Sequence, residues 1–309
     1  MNPRDSSPRT APDMAEQHAR GGFALGLGAY GLWGVLPLYF KAIAHVAATD
    51  IVAHRVLWSI PFLTVLITVG KGWSRVRSVV ADRRTMVVLT VTATLIGGNW
   101  LLYVYAVNSG HILAASFGYY LNPLANVLLG RFVLKERLGR LQWAAVAIAG
   151  AGISVLAAGA LGQLWISLAL CGSFALYGLL RKIVAADALT GLAVETCLLF
   201  PAALLWLVWR LSSGAPALGS SGTDLALLVM AGIVSTTPLL LFTAAARRLA
   251  YSTLGMLQFL APTLQFGIGV WYGERFTSAH AVAFAAIWAA LVLYILALVR
   301  APRLPQTPE

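Results

Sequence analysis

Apolar residues run in long blocks along almost the whole chain, broken by short polar stretches. A block of roughly 18 or more such residues covers about 30 Å of hydrocarbon as an α-helix. The blocks lie near residues 22–43, 51–69, 85–107, 112–129, 141–158, 164–180, 191–211, 225–246, 253–272 and 280–299, which predicts about ten membrane-spanning helices. The short alternating segments of an outer-membrane barrel are missing from this pattern. Most connections are short, so successive helices lie antiparallel, and no soluble domain is inserted. Residues 1–20 are polar and rich in Pro and Ser, which reads as a disordered tail, and residues 301–309 as a second one. The block at 22–43 is too long for a signal-peptide core and is expected to stay in the membrane. Its Gly22, Gly26, Gly28, Gly31 and Gly34 offer small surfaces for close helix contact.

Composition agrees with an all-α integral membrane protein: 59% of residues are hydrophobic and 11% charged, against about 25% charged in ordinary soluble domains. The net charge of +11 is not a nucleic-acid footprint, because the basic residues sit between the spans. With the N-terminus inside, eighteen of the 22 Lys and Arg residues fall on inward segments, Arg181 and Lys182 among them, and Lys41, Arg210 and Arg275 on outward ones. That bias places both termini in the cytoplasm. Cys171 and Cys197 lie in apolar runs without CxxC spacing and read as inert thiols; no cofactor or metal is indicated.

The chain also repeats itself. Aligning Arg55 with Glu195 brings Pro61 onto Pro201 and sets Trp33 opposite Phe174. Leu121-Asn122-Pro123 then matches Leu260-Ala261-Pro262, and Lys135-Glu136-Arg137 matches Gly273-Glu274-Arg275. Two halves of five helices, an odd number, enter the membrane from opposite sides, the inverted repeat of secondary transporters with solute bound near the midplane.

Several of these stretches are familiar: Gly34-Val35-Leu36-Pro37-Leu38-Tyr39-Phe40-Lys41, Ala53-His54-Arg55-Val56-Leu57-Trp58-Ser59, Ile96-Gly97-Gly98-Asn99-Trp100 and Gly118-Tyr119-Tyr120-Leu121-Asn122-Pro123. With Ser252-Thr253-Leu254-Gly255 and Tyr272-Gly273-Glu274 they resemble the RarD family of permeases, in the EamA branch of the drug/metabolite transporters. The resemblance implies a bacterial inner-membrane permease built of two EamA-type halves, residues 21–158 and 164–300. It implies export of a small organic solute, metabolite or drug, without naming one.

Charges inside the spans are the first candidates for function, since an arginine in hydrocarbon costs several kcal/mol unless it meets water or a partner. Arg55 either snorkels to the outer interface or faces a central cavity and attracts an anionic group. Trp58 and Phe62 share its helix face. Glu195 is a proton-coupling candidate, with hydrogen bonding to a neighbouring helix as the alternative. His54 is a second coupling candidate or a packing contact. Arg55 and Glu195 are expected in opposite halves of the pathway rather than in contact. Asn99, Asn122 and Gln258 line a cavity or bind helices together, and Trp33, Trp58, Trp100, Tyr103 and Tyr119 form a stacking pocket or simply pack. Pro37, Pro123 and Pro262 are hinges or static kinks. Glu136-Arg137 and Glu274-Arg275 read as structural anchors.

The chain has no GxxxxGK[ST] loop, so ATP is not the expected energy source. It has no HExxH or GxSxG and one carboxylate deep in a span, which argues against an enzyme. A secondary transporter working by alternating access is the leading reading; a non-transporting assembly or sensor protein is the alternative.

Overall fold

The computed structural model describes residues 11–109, 111–157, 164–272 and 278–300, where every regular element is an α-helix. In order they are α1 (Ala11–Ala42), α2 (Ala48–Val69), α3 (Trp73–Ala81), α4 (Arg83–Asn108), α5 (Ile112–Phe132) and α6 (Arg140–Ala157). The second half holds α7 (Leu164–Ile183), α8 (Ala188–Ser212), α9 (Gly222–Ala246), α10 (Tyr251–Leu257), α11 (Leu260–Trp271) and α12 (Ser278–Arg300). Among the described residues, 7 helices are long and apolar enough to cross a membrane, and Arg140–Val155 is a shorter apolar one. Large apolar side chains point outward from them, such as Leu205, Val208 and Val299. Such a surface suits lipid.

Three elements differ from the pattern of apolar blocks. Helix α1 begins at Ala11, so residues 11–20 are helical where a disordered tail is expected. They are rich in helix formers, and Pro12 sits in the first turn where its missing N–H costs nothing. Helix α3 is short and mixed in polarity, so no long apolar run announces it. The block at 253–272 is two helices, α10 and α11, broken at Gln258-Phe259. Pro262 lies just beyond that break in the first turn of α11, and Gln258 O accepts from Ala261 N instead (3.2 Å). Pro37 and Pro123, by contrast, lie inside uninterrupted helices, so neither marks a break; the neighbouring turns absorb the lost bond. Glu274, Arg275, the first ten residues and the tail at 301–309 lie outside the described residues.

The helices pack in exchanged pairs. Helix α1 lies on α9 and α11, while α7 lies on α4 and α5; α2 lies on α9, while α8 lies on α4. Three pairs join like to like: α2 with α8, α5 with α10, and α6 with α12. Close approach depends on glycine. A Cβ at Gly232 would sit 2.4 Å from the backbone carbon of Trp58, and one at Gly255 would sit 2.7 Å from Pro123 O.

Polar ties join helices at the two ends of the bundle. At one end the Arg210 guanidinium donates twice to Asp50 (Nε to Oδ1 3.0 Å, Nη2 to Oδ2 2.8 Å), and Trp206 Nε1 adds a third bond (2.9 Å). There too, Tyr39 donates to Leu227 O (2.7 Å) and His45 meets Asp224 (2.9 Å). At the other end Glu136 takes the backbone N–H groups of Tyr251 (2.5 Å) and Ser252 (3.0 Å), capping α10. Lys182 donates to the carbonyls of Ala246 (2.8 Å) and Leu249, and Arg247 to Val184 O (2.8 Å), so cations sit on helix C-termini. On the loop before α4, Asp82 accepts from the Thr85 hydroxyl and backbone, which holds its carboxyl below the usual range.

Because the Gly232 site has no room, Gly232→Ala is expected to destabilise the protein by about 1–3 kcal/mol through overpacking. Gly172→Ala, whose Cβ would meet nothing within 4 Å, should be neutral. Thermal unfolding of both variants in detergent checks the contrast.

Candidate functional site

Helices α2, α4, α8 and α9 meet around a narrow cleft with about 290 Å³ of empty space, its open mouth included. Arg55, Val56 and Ser59 line it from α2, Trp100 from α4, Leu192, Thr196 and Leu199 from α8, and Ser235, Thr236 and Leu239 from α9. Toward the Asp50 end the lining is half-buried, at Arg55 and Trp100. Toward the Arg181 end it is buried, at Leu192 and Leu239.

Arg55 points into the bundle, not outward to lipid. Its guanidinium carbon lies 4.4 Å from the centroid of the Trp100 ring, a cation–π contact. Tyr39, Tyr103 and Tyr119 stand within its electrostatic reach, the last two with ring centroids 5.7 Å apart. Yet Arg55 Nε is buried without a hydrogen-bond partner, and among the described residues no carboxylate pairs with it. Ser235 Oγ, also buried in the cleft wall, has no partner either. Ser59 and Thr236 satisfy one another across the α2–α9 contact (2.5 Å).

Glu195 is treated differently. It is 1% exposed and accepts from Thr92 Oγ1 (2.5 Å) and the Tyr177 hydroxyl (3.3 Å), while Arg181 Nε stands 3.5 Å from Oε1. Arg181 is fully buried and also donates to the carbonyls of Asp187 (3.2 Å) and Ala188 (3.1 Å). Gly191 makes the space: a Cβ there would lie 1.9 Å from Arg181 Nη1. Arg181 is therefore not the solvated loop cation that charge counting makes of it. Its place in the last turn of α7 aims it back under α8. Beside this pair Tyr30, Trp33, Phe174, Tyr177 and Phe242 pack ring against ring, with Phe174 and Phe242 centroids at 5.3 Å.

Other expected site residues are engaged in packing. Trp33 belongs to that aromatic cluster rather than to the cleft. His54 is fully buried: Trp58 Nε1, which can only donate, gives its proton to His54 Nδ1 (3.2 Å), leaving Nε2–H to bond Ala217 O (2.8 Å). Both nitrogens are committed in the neutral tautomer, and His54 and Trp58 tie α2 to the loop before α9. Asn99 binds α4 to α7 through Leu170 O and Ser173 Oγ (both 2.9 Å). Gln258 accepts from Asn126 Nδ2 (2.8 Å) at the α10–α11 break. Asn122 is fully buried near them, its amide without a protein partner, and does not line the cleft. Sequence reading missed Arg181, Ser59, Thr196, Ser235 and Thr236. The run Ser235-Thr236-Thr237-Pro238 inside an apolar block is the signal that points to the α9 wall.

A helical membrane bundle with polar groups at a central helix crossing is compatible with a membrane transporter, and comparison with known proteins gives that class. Residues 20–158 match the EamA-like transporter family. The chain is 47% identical to an uncharacterized transporter of Vibrio cholerae, over 90% of this chain and 93% of that protein. It is 44% identical to Protein RarD of Escherichia coli, over 92% and 96%, and 32% identical to the chloramphenicol-sensitive protein RarD of Pseudomonas aeruginosa, over 88% and 92%. The chain belongs to the RarD family of EamA-type permeases, bacterial inner-membrane proteins. A solved crystal structure at 19% identity superposes on 91% of this chain and 99% of that one with a TM-score of 0.70, a likeness of fold alone.

Removing one member of a buried ion pair costs about 3–5 kcal/mol, whereas replacing both with apolar groups is far milder. Arg181→Met alone should therefore lower the unfolding midpoint sharply, and Arg181→Met combined with Glu195→Met should recover at least half of the loss.

Proposed function

We propose that the chain is a secondary transporter that exports a small organic solute, a metabolite or drug, across the inner membrane by alternating access. Ten spans are counted when α10 and α11 act as one broken span and α3 lies at the surface. The exchanged packing of α1–α6 against α7–α12 supports two five-helix repeats, 21–158 and 164–300, inverted in the membrane with both termini cytoplasmic. The observation that carries this reading is the cleft between α2, α4, α8 and α9, where Arg55 Nε and Ser235 Oγ stand without hydrogen-bond partners. In this arrangement the Arg181–Glu195 pair and the ring cluster form the cytoplasmic seal, and the Asp50 end is the periplasmic mouth. Trp100, Tyr103 and Tyr119 join Arg55 as solute contacts. Glu195 is the coupling group, because its protonation removes the charge that holds Arg181.

Flux through the purified protein in proteoliposomes tests the reading. A gradient-driven solute should move chemically unchanged, and Arg55→Ala should reduce its flux at least tenfold. Glu195→Gln, which keeps the size and one acceptor oxygen but not the charge, should lose proton-driven uptake while solute exchange persists. Full proton-driven transport by Glu195→Gln refutes the coupling role; no flux of any solute, with the protein folded, refutes transport.

A further inference from the structure

We propose that the cleft selects a net monoanion, a compact carboxylate with a flat apolar body, and discriminates against zwitterions and cations of the same shape. This rests on the reading of the cleft as the solute site. Each carboxylate whose side chain the structure describes is already committed: Asp50 to Arg210, Glu195 to Arg181, Glu136 to α10, Asp224 to His45 and Ser220, Asp187 to Thr190, and Asp82 to Thr85. Arg55 has none, and its Nε is buried and unbonded. A cation there faces water-poor surroundings with no anion inside the cleft, where Coulomb terms are several-fold larger than in water. A bound carboxylate supplies what the site lacks, since a guanidinium donates to it through two parallel N–H bonds.

Ser235 provides the second polar contact. Its hydroxyl, unpartnered in the same wall, can donate to an oxygen of the bound anion. The remaining lining joins Val56, Leu192, Leu199, Leu239 and the Trp100 ring to the hydroxyls of Ser59, Thr196 and Thr236, which are already bonded within the protein. That surface suits a flat, largely apolar body and sets no carboxylate beside an ammonium. An α-amino acid would bring its ammonium beside Arg55 with no carboxylate to receive it.

Phenylpyruvate, phenylalanine and phenethylamine share one ring and differ in charge at neutral pH, as anion, zwitterion and cation. Titration calorimetry of the purified full chain with each is expected to give at least tenfold tighter binding of phenylpyruvate than of either other compound. Arg55→Lys should keep that order; Arg55→Gln should weaken phenylpyruvate at least tenfold, and Ser235→Ala several-fold, in preparations that remain monodisperse. Equal or tighter binding of phenylalanine or phenethylamine overturns the inference. So does phenylpyruvate binding unchanged by Arg55→Gln, or binding of none of the three. If phenylpyruvate binds through Arg55 but no solute crosses vesicles, the transport reading fails and this one stands. If a zwitterion or cation crosses independently of Arg55, the reverse holds.

Discussion

A charge placed in hydrocarbon must find a counter-charge, a dense set of dipoles or water, and this chain meets that demand in two different ways. Arg181 and Glu195 meet it internally, as an enclosed ion pair with Thr92, Tyr177 and two backbone carbonyls around it, although Arg181 Nε and Nη1 make no hydrogen bond. Arg55 meets it only in part, through the face of Trp100 and nearby tyrosines. The rest of the architecture follows from those two solutions. Glycine at 191 exists to admit a guanidinium, and glycine at 232 lets α2 and α9 touch so that the cleft wall is thin and polar.

The contrast runs through the whole bundle. Several positions around the cleft and the ring cluster that correspond in the two halves differ in burial. Trp100 and Tyr103 on α4 are half-buried and 40% exposed, while Leu239 and Phe242 on α9 are 4% and 0% exposed. Trp33 is half-buried where Phe174 is buried. Arg55 opens on a cleft where Glu195 is locked. On the alternating-access mechanism proposed above, a bundle whose two halves close unequally is one state of the cycle, sealed at the Arg181 end and loosened at the Asp50 end.

Much of this was legible in the chain. Long apolar blocks announce the helices because length and hydropathy alone decide what crosses a bilayer, and the alignment of Arg55 with Glu195 and Pro61 with Pro201 has its counterpart in the matching starts of α2 and α8. What escaped depends on direction rather than on composition. Arg181 reads as a loop cation because it ends an apolar block, yet the last turn of α7 aims it inward. His54 reads as a coupling candidate and Asn99 as a solute contact because they are polar in a span, and both bond neighbouring elements in the structure: a lone polar group in a bundle satisfies its neighbours as readily as a ligand. Helix α3 and the α10–α11 break are invisible to a search for long apolar runs. Ser235 is the opposite case, a small residue whose importance lies in having no partner.

The central claim is that the bundle is open on the cleft from the Asp50 end and shut at the Arg181 end. Cysteine accessibility tests it most directly. In a background lacking Cys171 and Cys197, a membrane-impermeant thiol reagent applied to intact cells should modify Trp100→Cys, at the half-buried side of the cleft, and the same reagent should leave Thr92→Cys unreacted from either side. Equal labelling of the two positions, or labelling of Trp100→Cys from the cytoplasmic side alone, would contradict the account.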